Sequence, residues 1–400
     1  MIINQRNDTI RKAIAVDKAP MKYKTIFMIS LLILFSSFSS HPQMIENQPV
    51  NAAVVAQNST PAARYLPAFV FDPINERVMM YGGGSSAGGD VEYEDTWTFD
   101  YMTRTWTELT VDTTPGPRHS AVMVYDTTDE VIILFGGSQG ISRASDTWIF
   151  NCSTEEWTEV TPAVSPPGRM SHAMVYDSAN ERVLLFSGYG PSGPNTADTW
   201  AYDYSTNIWQ EMSPETSPHA RYGASYIYDD VNETMIIFGG NSNGYFSDTW
   251  SYAYDTDIWT NLYPITHPQA LKWSSSVYDS ANQKMILFGG DDALSRSVND
   301  TWVFDSQTNE WEEREPALAP PAREAFGFAF DTDNEKAILF GGIQLYNDQL
   351  VDTWAYDFQS NTWEEMIQIS DSTPLLVAVI VIPVIAVVII IAYSFMKKRR

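Results

Sequence analysis

The sequence has few of the residues that most often carry catalysis or bind metal ions. Its 400 residues include one cysteine, Cys152, and five histidines. A single cysteine excludes an intrachain disulfide, and because no basic residue adjoins Cys152, we predict a half-buried thiol of low reactivity. The histidines share no spacing typical of a metal site; they are His41, His119, His172, His219 and His267. We therefore predict no metal site, no cofactor and no catalytic residue.

Positive charge is also scarce in the middle of the chain. Of the 24 lysines and arginines, six lie at or before Lys24 and four form the last four residues. That leaves 14 basic against 48 acidic residues between His41 and Pro374, a net charge of −34. Such a surface repels nucleic acid and anionic lipid headgroups, so neither is an expected partner of this region.

Long apolar runs occur at two places, one near each end of the chain. Residues 1–40 have the layout of an N-terminal extension and a signal peptide. Met21, a possible true start, is followed by two lysines, the apolar run Ile26–Phe35 and small residues up to Ser40. An uncleaved signal anchor is the alternative, although this run is short for a membrane span.

The second run, Leu375–Phe395, is free of charged residues and matches the ~20 residues that cross a bilayer as a helix. A basic tail follows over residues 396–400. Because positive residues stay on the cytoplasmic side, we predict a single-pass protein of the cell membrane with a cytoplasmic C-terminus and an extracellular middle region. The same end also resembles the sorting tails of some prokaryotic surface proteins, which are removed after export.

The region between these ends repeats one phrase six times. Asp-Thr-Trp starts at Asp95, Asp146, Asp198, Asp248, Asp300 and Asp352. In the second copy, SAVMVYD and EVIILFGG are joined by a polar turn, and so are the shorter runs DTWIF and EEWTEV. Such β-rich runs joined by polar turns are typical of hairpins. Each copy is therefore predicted to form a four-stranded antiparallel sheet, called a blade, with strands a, b, c and d in chain order.

One such sheet cannot bury both of its faces alone. Six copies are therefore expected to stack around an axis as a β-propeller. In every copy a second tryptophan follows the first by nine residues, and such large side chains are suited to packing between blades. The predicted structural tryptophans are Trp97, Trp106, Trp148, Trp157, Trp200, Trp209, Trp250, Trp259, Trp302, Trp311, Trp354 and Trp363.

The order of an arginine, a Gly-Gly pair and two spaced tryptophans resembles the kelch repeat, over about residues 61–370. The resemblance implies an all-β, six-bladed kelch-type propeller, here followed by the transmembrane helix. Ser187 replaces the first glycine in the third copy, and Leu271 replaces the arginine in the fifth. Residues 41–60 are predicted to be a linker, in which Val50–Ala56 is a candidate edge strand for closing the ring.

Only one interval in the repeat varies in length. The distance from Gly-Gly to Asp-Thr-Trp is 13, 10, 11, 9, 11 and 11 residues in the six copies, whereas the other intervals are constant. This variable segment is the b–c loop. In a meander the b–c and d–a loops emerge on the same side, which we call the loop face. Variable loops on a rigid scaffold are where binding usually resides, so we predict the ligand site there.

Three groups of residues are candidates for that site. The repeated arginines are expected near the channel mouth, where the kelch resemblance implies recognition of acidic peptides; alternatively they pair with carbonyls and carboxylates of the repeat. Lys272 and Trp273 stand in the copy that lacks arginine and suggest a stacking platform, with a packing tryptophan as the alternative. The arginines are Arg64, Arg118, Arg169, Arg221 and Arg323, and the loop tyrosines are Tyr93, Tyr189, Tyr245 and Tyr346.

The sequence thus predicts a membrane-anchored extracellular module that binds a protein, peptide or glycan through its loop face. A galactose-oxidase-like copper oxidase on the same scaffold is an alternative, although it needs a Tyr–Cys crosslink and two histidine ligands that Cys152 and its surroundings do not match. A structural protein of the cell envelope is the third possibility. Candidate glycosylation sites are Asn58, Asn151, Asn232 and Asn299.

Overall fold

A computed structural model describes residues 60–86, 91–191, 196–344 and 348–367. These residues form six four-stranded antiparallel sheets, each built from consecutive strands in the order a, b, c, d. The prediction of an all-β six-bladed propeller is therefore confirmed. The signal segment, the candidate edge strand Val50–Ala56 and the apolar run Leu375–Phe395 all lie outside the described residues. Within the described ranges, no helix has the length and apolarity needed to span a membrane.

The strand boundaries follow the repeat closely. In blades 1 to 6, strand a spans Ala68–Asp72, Val122–Asp126, Ala173–Asp177, Ser225–Asp229, Ser275–Asp279 and Gly327–Asp331. Strand b spans Arg77–Tyr81, Val131–Phe135, Arg182–Phe186, Thr234–Phe238, Lys284–Phe288 and Lys336–Phe340. Strand c spans Thr96–Asp100, Thr147–Asn151, Thr199–Asp203, Thr249–Ala253, Thr301–Asp305 and Thr353–Asp357. Strand d spans Thr105–Leu109, Glu156–Val160, Ile208–Glu211, Ile258–Asn261, Glu310–Arg314 and Thr362–Glu365.

Three short two-stranded ladders lie on the loop face. In blades 1 and 2 they lie within the b–c loop, and in blade 5 the ladder joins the start of the blade to its b–c loop. They pair Gly84–Ser85 with Val91–Glu92, Ser138–Gln139 with Ser142–Arg143, and Leu271–Lys272 with Asp291–Asp292.

The acidic a–b turns are built as capped turns. In blade 1 the buried carboxylate of Asp72 accepts hydrogen bonds from the backbone amides of Ile74 and Asn75 and from the Asn75 side chain. Blades 3, 4 and 6 repeat this pattern at Asp177, Asp229 and Asp331. An Asx side chain that satisfies its own turn in this way explains why aspartate recurs at the end of strand a.

The ring closes through a continuous circle of backbone hydrogen bonds at the loop face. Each member lies two residues after the arginine position, has a left-handed φ between 47° and 64°, and donates its amide to the carbonyl of the preceding blade over 2.6–3.0 Å. Leu66 of blade 1 donates to Ala325 of blade 6, so the circle has no gap. We call these residues the backbone belt: Leu66, Ser120, Ser171, Gly223, Trp273 and Ala325.

The Asp-Thr-Trp motif joins each blade to the next. In blade 2 the threonine of the motif, Thr147, accepts a hydrogen bond from the indole of Trp209, the second tryptophan of blade 3. The same bond recurs at all six junctions over 3.0–3.3 Å, and Trp106 to Thr353 completes the circle between blades 1 and 6. These buried bonds, together with the apolar clusters between adjacent sheets, assign the motif to construction of the propeller.

Candidate functional site

The five repeated arginines are buried inside the blades rather than displayed at the channel mouth. Each has an exposed fraction of at most 1%. Each guanidinium donates to the backbone carbonyl of the first residue of the glycine pair over 2.8–3.0 Å, and it binds both oxygens of the aspartate that starts Asp-Thr-Trp over 2.6–3.0 Å. With their donors committed to the blade, these guanidinium groups have no exposed surface to offer a ligand.

Four of the aspartates paired with these arginines have lowered pKa values. Burial alone would raise the pKa of Asp146, but the hydrogen bond and the charge of Arg118 hold that pKa below its ordinary value. The same balance lowers the pKa of Asp198, Asp248 and Asp352. The indole of the adjacent tryptophan donates a further bond to each carboxylate over 2.7–2.8 Å, so each aspartate stays ionised at neutral pH.

Blade 5 keeps the aspartate but not the arginine. Leu271 occupies the arginine position and is 1% exposed, packed among apolar side chains such as Phe238 and Leu287. Asp300 is the aspartate that starts Asp-Thr-Trp in this blade. It is partly exposed, and burial raises the pKa of its carboxyl group. Among the described residues, none donates a hydrogen bond to that carboxylate. The loop face is therefore chemically different at blade 5.

Aromatic side chains line up across blades 3 to 5 on this face. The rings of Tyr189 and Tyr222 meet edge to face at 5.8 Å between centroids, and Tyr222 lies 6.1 Å from Trp273. The Lys272 ammonium then sits 4.1 Å from the Trp273 ring centroid and 5.2 Å from that of Tyr245. All five side chains are partly exposed. We call this set the aromatic arc; it brings together four of the sequence-predicted site residues.

A glycine in the neighbouring blade holds Trp273 in place. Trp273 belongs to the backbone belt and has a φ of 52°, which is unusual for a bulky residue. Its indole lies directly on Gly223, where an added Cβ would be 2.6 Å from the indole Cδ1 atom. The indole Nε1 atom is buried and has no hydrogen-bond partner. The irregular tryptophan is thus a fixed, half-buried platform on the loop face.

Two carboxylates accompany the arc at the junction of blades 5 and 6. Asp291 accepts a hydrogen bond from the Tyr245 hydroxyl at 2.8 Å and pairs with the Lys272 ammonium at 3.2 Å. Glu324 has a buried Oε2 atom without a partner. Burial raises the pKa of Glu324 to about 7, the charge of Asp291 adds to this rise, and Lys272 opposes it. The glutamate is therefore partly protonated near neutral pH.

Sequence reasoning missed Tyr222 and Glu324, although both occupy the same position of the repeat. Both directly follow the arginine position, as Lys272 does in blade 5 and His119 in blade 2. That position pairs with the residue after the glycine pair, as Tyr222 with Asn241 and Glu324 with Ile343. These residues directly precede the backbone belt and therefore lie beside it on the loop face.

A family model that matches most of the chain identifies its family. A model described as the KLHDC2/KLHL20/DRC7 Kelch-repeats domain matches residues 45–215 and 177–391. The chain is a member of this kelch-repeat family. Among its curated relatives, the flagellar outer-arm dynein alpha chain of Chlamydomonas reinhardtii is 30% identical over 204 residues, which are 46% of this chain and 4% of that protein.

Two further relatives are similar over shorter or weaker stretches. Mei4-dependent protein 6 of Schizosaccharomyces pombe is 30% identical over 129 residues, 30% of this chain and 18% of its own length. An F-box/kelch-repeat protein of Arabidopsis thaliana is 26% identical over 191 residues, 43% of this chain and 38% of its own. The kelch chain therefore spans well under half the length of each of these relatives.

Among the remaining candidate residues, those that the structure describes are not part of the aromatic arc. Tyr93 covers the Arg64 guanidinium at 4.2 Å and so belongs to the buried pair of blade 1. Tyr346 and the candidate glycosylation site Asn58 lie outside the described residues. Asn151, Asn232 and Asn299 are exposed.

Catalytic chemistry finds little support in this kelch propeller. Cys152 is fully buried rather than half-buried as predicted, because strand c ends beneath the neighbouring blade, and burial raises the pKa of its thiol to about 12. Burial lowers the pKa of His172 to about 3, with the charge of Arg169 adding to the effect. Across the described ranges no group of three or more His, Cys, Asp or Glu side chains is placed to hold a metal ion. Kelch propellers are typically binding or adaptor domains.

Proposed function

We propose that this kelch propeller recognises a partner protein through the loop face, with the aromatic arc as the centre of the contact. The observation that carries the proposal is the arc itself: four ring systems and one cation, partly exposed and held by close packing on a rigid ring. Rigid tyrosine and tryptophan side chains supply large contact area at low entropic cost, and they are enriched at the centres of protein interfaces.

The distribution of exposed apolar side chains favours the same face. Of fourteen large apolar residues that are exposed in the described part of the chain, eight lie on b–c or d–a loops. They are Val91, Ile141, Val164, Tyr263, Ile265, Leu294, Leu318 and Val351. Single exposed apolar residues are common on any surface, but their concentration on one side supports a protein contact there.

The buried arginines change the chemistry expected of the partner. Capture of an acidic peptide by five arginine forks would require exposed guanidinium groups, and these groups are already paired. At blades 5 and 6, no described residue donates a hydrogen bond to the Asp300 carboxylate, and Glu324 has a buried Oε2 atom without a partner. We therefore propose that the partner contacts the aromatic arc by ring stacking and hydrogen bonding, and that the carboxyl groups of Asp300 and Glu324 lie beside this contact.

We further propose that the propeller is displayed outside the cell and tethered through Leu375–Phe395. The sequence pattern of two apolar runs and a basic tail supports this arrangement. In cells that produce the full chain, an antibody against the propeller should bind without permeabilisation, whereas an antibody against a tag placed after Arg400 should require it. Binding of both antibodies only after permeabilisation would contradict the proposal.

The recognition proposal is tested by probing peptide and glycan arrays with the full chain in detergent. Trp273→Ala should abolish binding of the array hits, because it removes the central ring of the arc. Met102→Ala, an exposed change on the opposite face, is the matched control and should bind as the unaltered chain does. Hits that survive Trp273→Ala would contradict the proposed site, and hits among glycans alone would replace the protein partner by a sugar.

A further inference from the structure

Blade 5 has the architecture of an arginine-binding site without its arginine. In the five other blades, the glycine-pair carbonyl and the aspartate of Asp-Thr-Trp together bind a guanidinium. The backbone of this site is unchanged in blade 5: Gly289 donates to the Asp300 carbonyl at 3.2 Å, as Gly82 does to Asp95 at 3.1 Å. Likewise the Leu271 carbonyl accepts from Gly240 at 2.7 Å, as the Arg118 carbonyl does from Gly83 at 2.9 Å.

The side chain of Leu271 replaces only part of an arginine. It fills the space of the apolar arginine stem, in contact with the core between blades 4 and 5. It supplies none of the guanidinium donors. As a result the Asp300 carboxylate lacks the two bonds that its counterparts receive from arginine, and among the described residues it also lacks the indole bond of the type that Trp354 donates to Asp352. Asp300 is partly exposed, so a group from solvent can reach it.

A second unpaired carboxyl group lies on the next blade. The carbonyl of Val298, two residues before Asp300, accepts a hydrogen bond at 3.1 Å from Arg323, the residue before Glu324. The Glu324 Oε2 atom is buried and unpartnered. The nearby cations are already used: Lys272 is paired with Asp291, and Arg296 is paired with Asp292 at 2.6 Å. Both of these described cations are thus neutralised by a carboxylate, whereas Asp300 and Glu324 are not, so this side of the loop face favours a cationic ligand.

We propose that Asp300 of blade 5 binds the guanidinium of an arginine side chain supplied by the partner protein. The inference rests on the proposed function, because the partner must dock on the loop face for its arginine to reach Asp300. Guanidinium is preferred over ammonium because this aspartate belongs to a repeat in which five counterparts each bind a planar, bidentate fork. The partner thus completes the sixth arginine position of the ring.

The test uses the full chain with ¹⁵N-labelled tryptophan and the probe Nα-acetyl-arginine amide. The indole signal of Trp302, assigned with Trp302→Phe, should shift in a saturable way, because Trp302 follows Asp300 by two residues in the Asp-Thr-Trp motif. Nα-acetyl-citrulline amide, a neutral isostere, should bind roughly tenfold or more weakly, since it forms no charge-assisted bonds. Nα-acetyl-lysine amide should also bind more weakly than the arginine probe, because an ammonium cannot form the bidentate fork.

Two variants separate the site from general attraction to an acidic surface. Asp300→Asn should abolish the arginine-dependent shift. Leu271→Arg should also abolish it by supplying the missing arginine internally, and it should move the Trp302 signal in the unliganded chain. If Leu271→Arg does not fold, Asp300→Asn still decides the question. A wild-type chain without a saturable shift, or a shift that survives Asp300→Asn, would overturn the inference.

These outcomes are distinguishable from failure of the proposed function. If array binding depends on Trp273 but acetyl-arginine amide does not shift Trp302, the loop-face site stands and the arginine inference alone is wrong. If acetyl-arginine amide binds at Asp300 while array hits ignore Trp273, the guanidinium site is real and the aromatic arc is not the recognition centre.

Discussion

Replacing Arg323 by leucine copies into blade 6 the residue pair that blade 5 already carries. The change removes four hydrogen bonds: one to Pro321, one to the Gly341 carbonyl and two to the Asp352 carboxylate. Arg323 has no exposed surface, and Asp352 would keep only the indole bond from Trp354. Removing one partner of a buried ion pair typically costs about 3–5 kcal/mol. Because the Asp352 carboxylate is partly exposed, we expect a loss of about 3 kcal/mol, at the lower end of this range.

Urea unfolding of the full chain, followed by tryptophan fluorescence, measures this loss. In a thermal scan, at roughly 2 °C per kcal/mol for a domain of this size, the melting temperature should fall by about 6 °C. Asp352→Asn and the double variant complete a cycle, in which the two losses should be strongly non-additive. Arg323→Lys should recover only part of the loss, since an ammonium cannot form the bidentate fork.

The stability that the Arg323–Asp352 pair contributes should also depend on pH. Asp352 has a folded-state pKa below its ordinary value, so the pair stabilises the fold above the unfolded-state pKa and ceases to do so as pH falls through the folded-state pKa. The stability difference between the wild-type chain and Arg323→Leu should therefore be full at pH 7 and shrink in acid. A loss below about 1 kcal/mol at pH 7 would refute the structural role of the arginine.

Three further predictions concern the packing of Trp273, the Glu324 carboxyl group and the hydrogen bonds between blades. Gly223→Ala should cost about 1 kcal/mol or more through its left-handed φ of 64° and should displace Trp273, which near-ultraviolet circular dichroism detects. Glu324→Gln should be more stable than wild type at pH 8 but not at pH 4, because a raised carboxyl pKa weakens the fold as pH rises from about 4.5 to about 7; a pH-independent difference would contradict this. Thr147→Val should cost about 1–2 kcal/mol in urea unfolding by leaving the Trp209 indole unpaired, whereas an unchanged midpoint would contradict the junction bond.

The fold could be predicted because its determinants recur at constant intervals. Hairpins, turns and inter-blade tryptophans each leave a sequence signal in every copy. Ring closure left none: the backbone belt is made by main-chain atoms at positions as different as Leu66, Ser120 and Trp273. Since a backbone hydrogen bond and a positive φ place little demand on side-chain identity, no comparison of the copies could have revealed the belt.

The candidate site was predicted in part. Trp273 and Lys272 stood out because they break the repeat, and the structure places both in the aromatic arc. The role of the arginines was ambiguous, because an arginine and an aspartate about 30 residues apart give no sign in sequence that they meet. Glu324 was overlooked because its importance depends on burial and on the absence of a partner, which only the folded chain displays.

Array binding by Trp273→Ala and by Arg323→Lys separates the recognition site from the residues that hold the blades together. We expect that Trp273→Ala loses the ligand while remaining folded, and that Arg323→Lys loses stability but retains the ligand at a temperature where it is folded. Loss of the ligand in Arg323→Lys, with binding intact in Trp273→Ala, would contradict recognition through the aromatic arc and return the arginines to the role of ligand-binding groups.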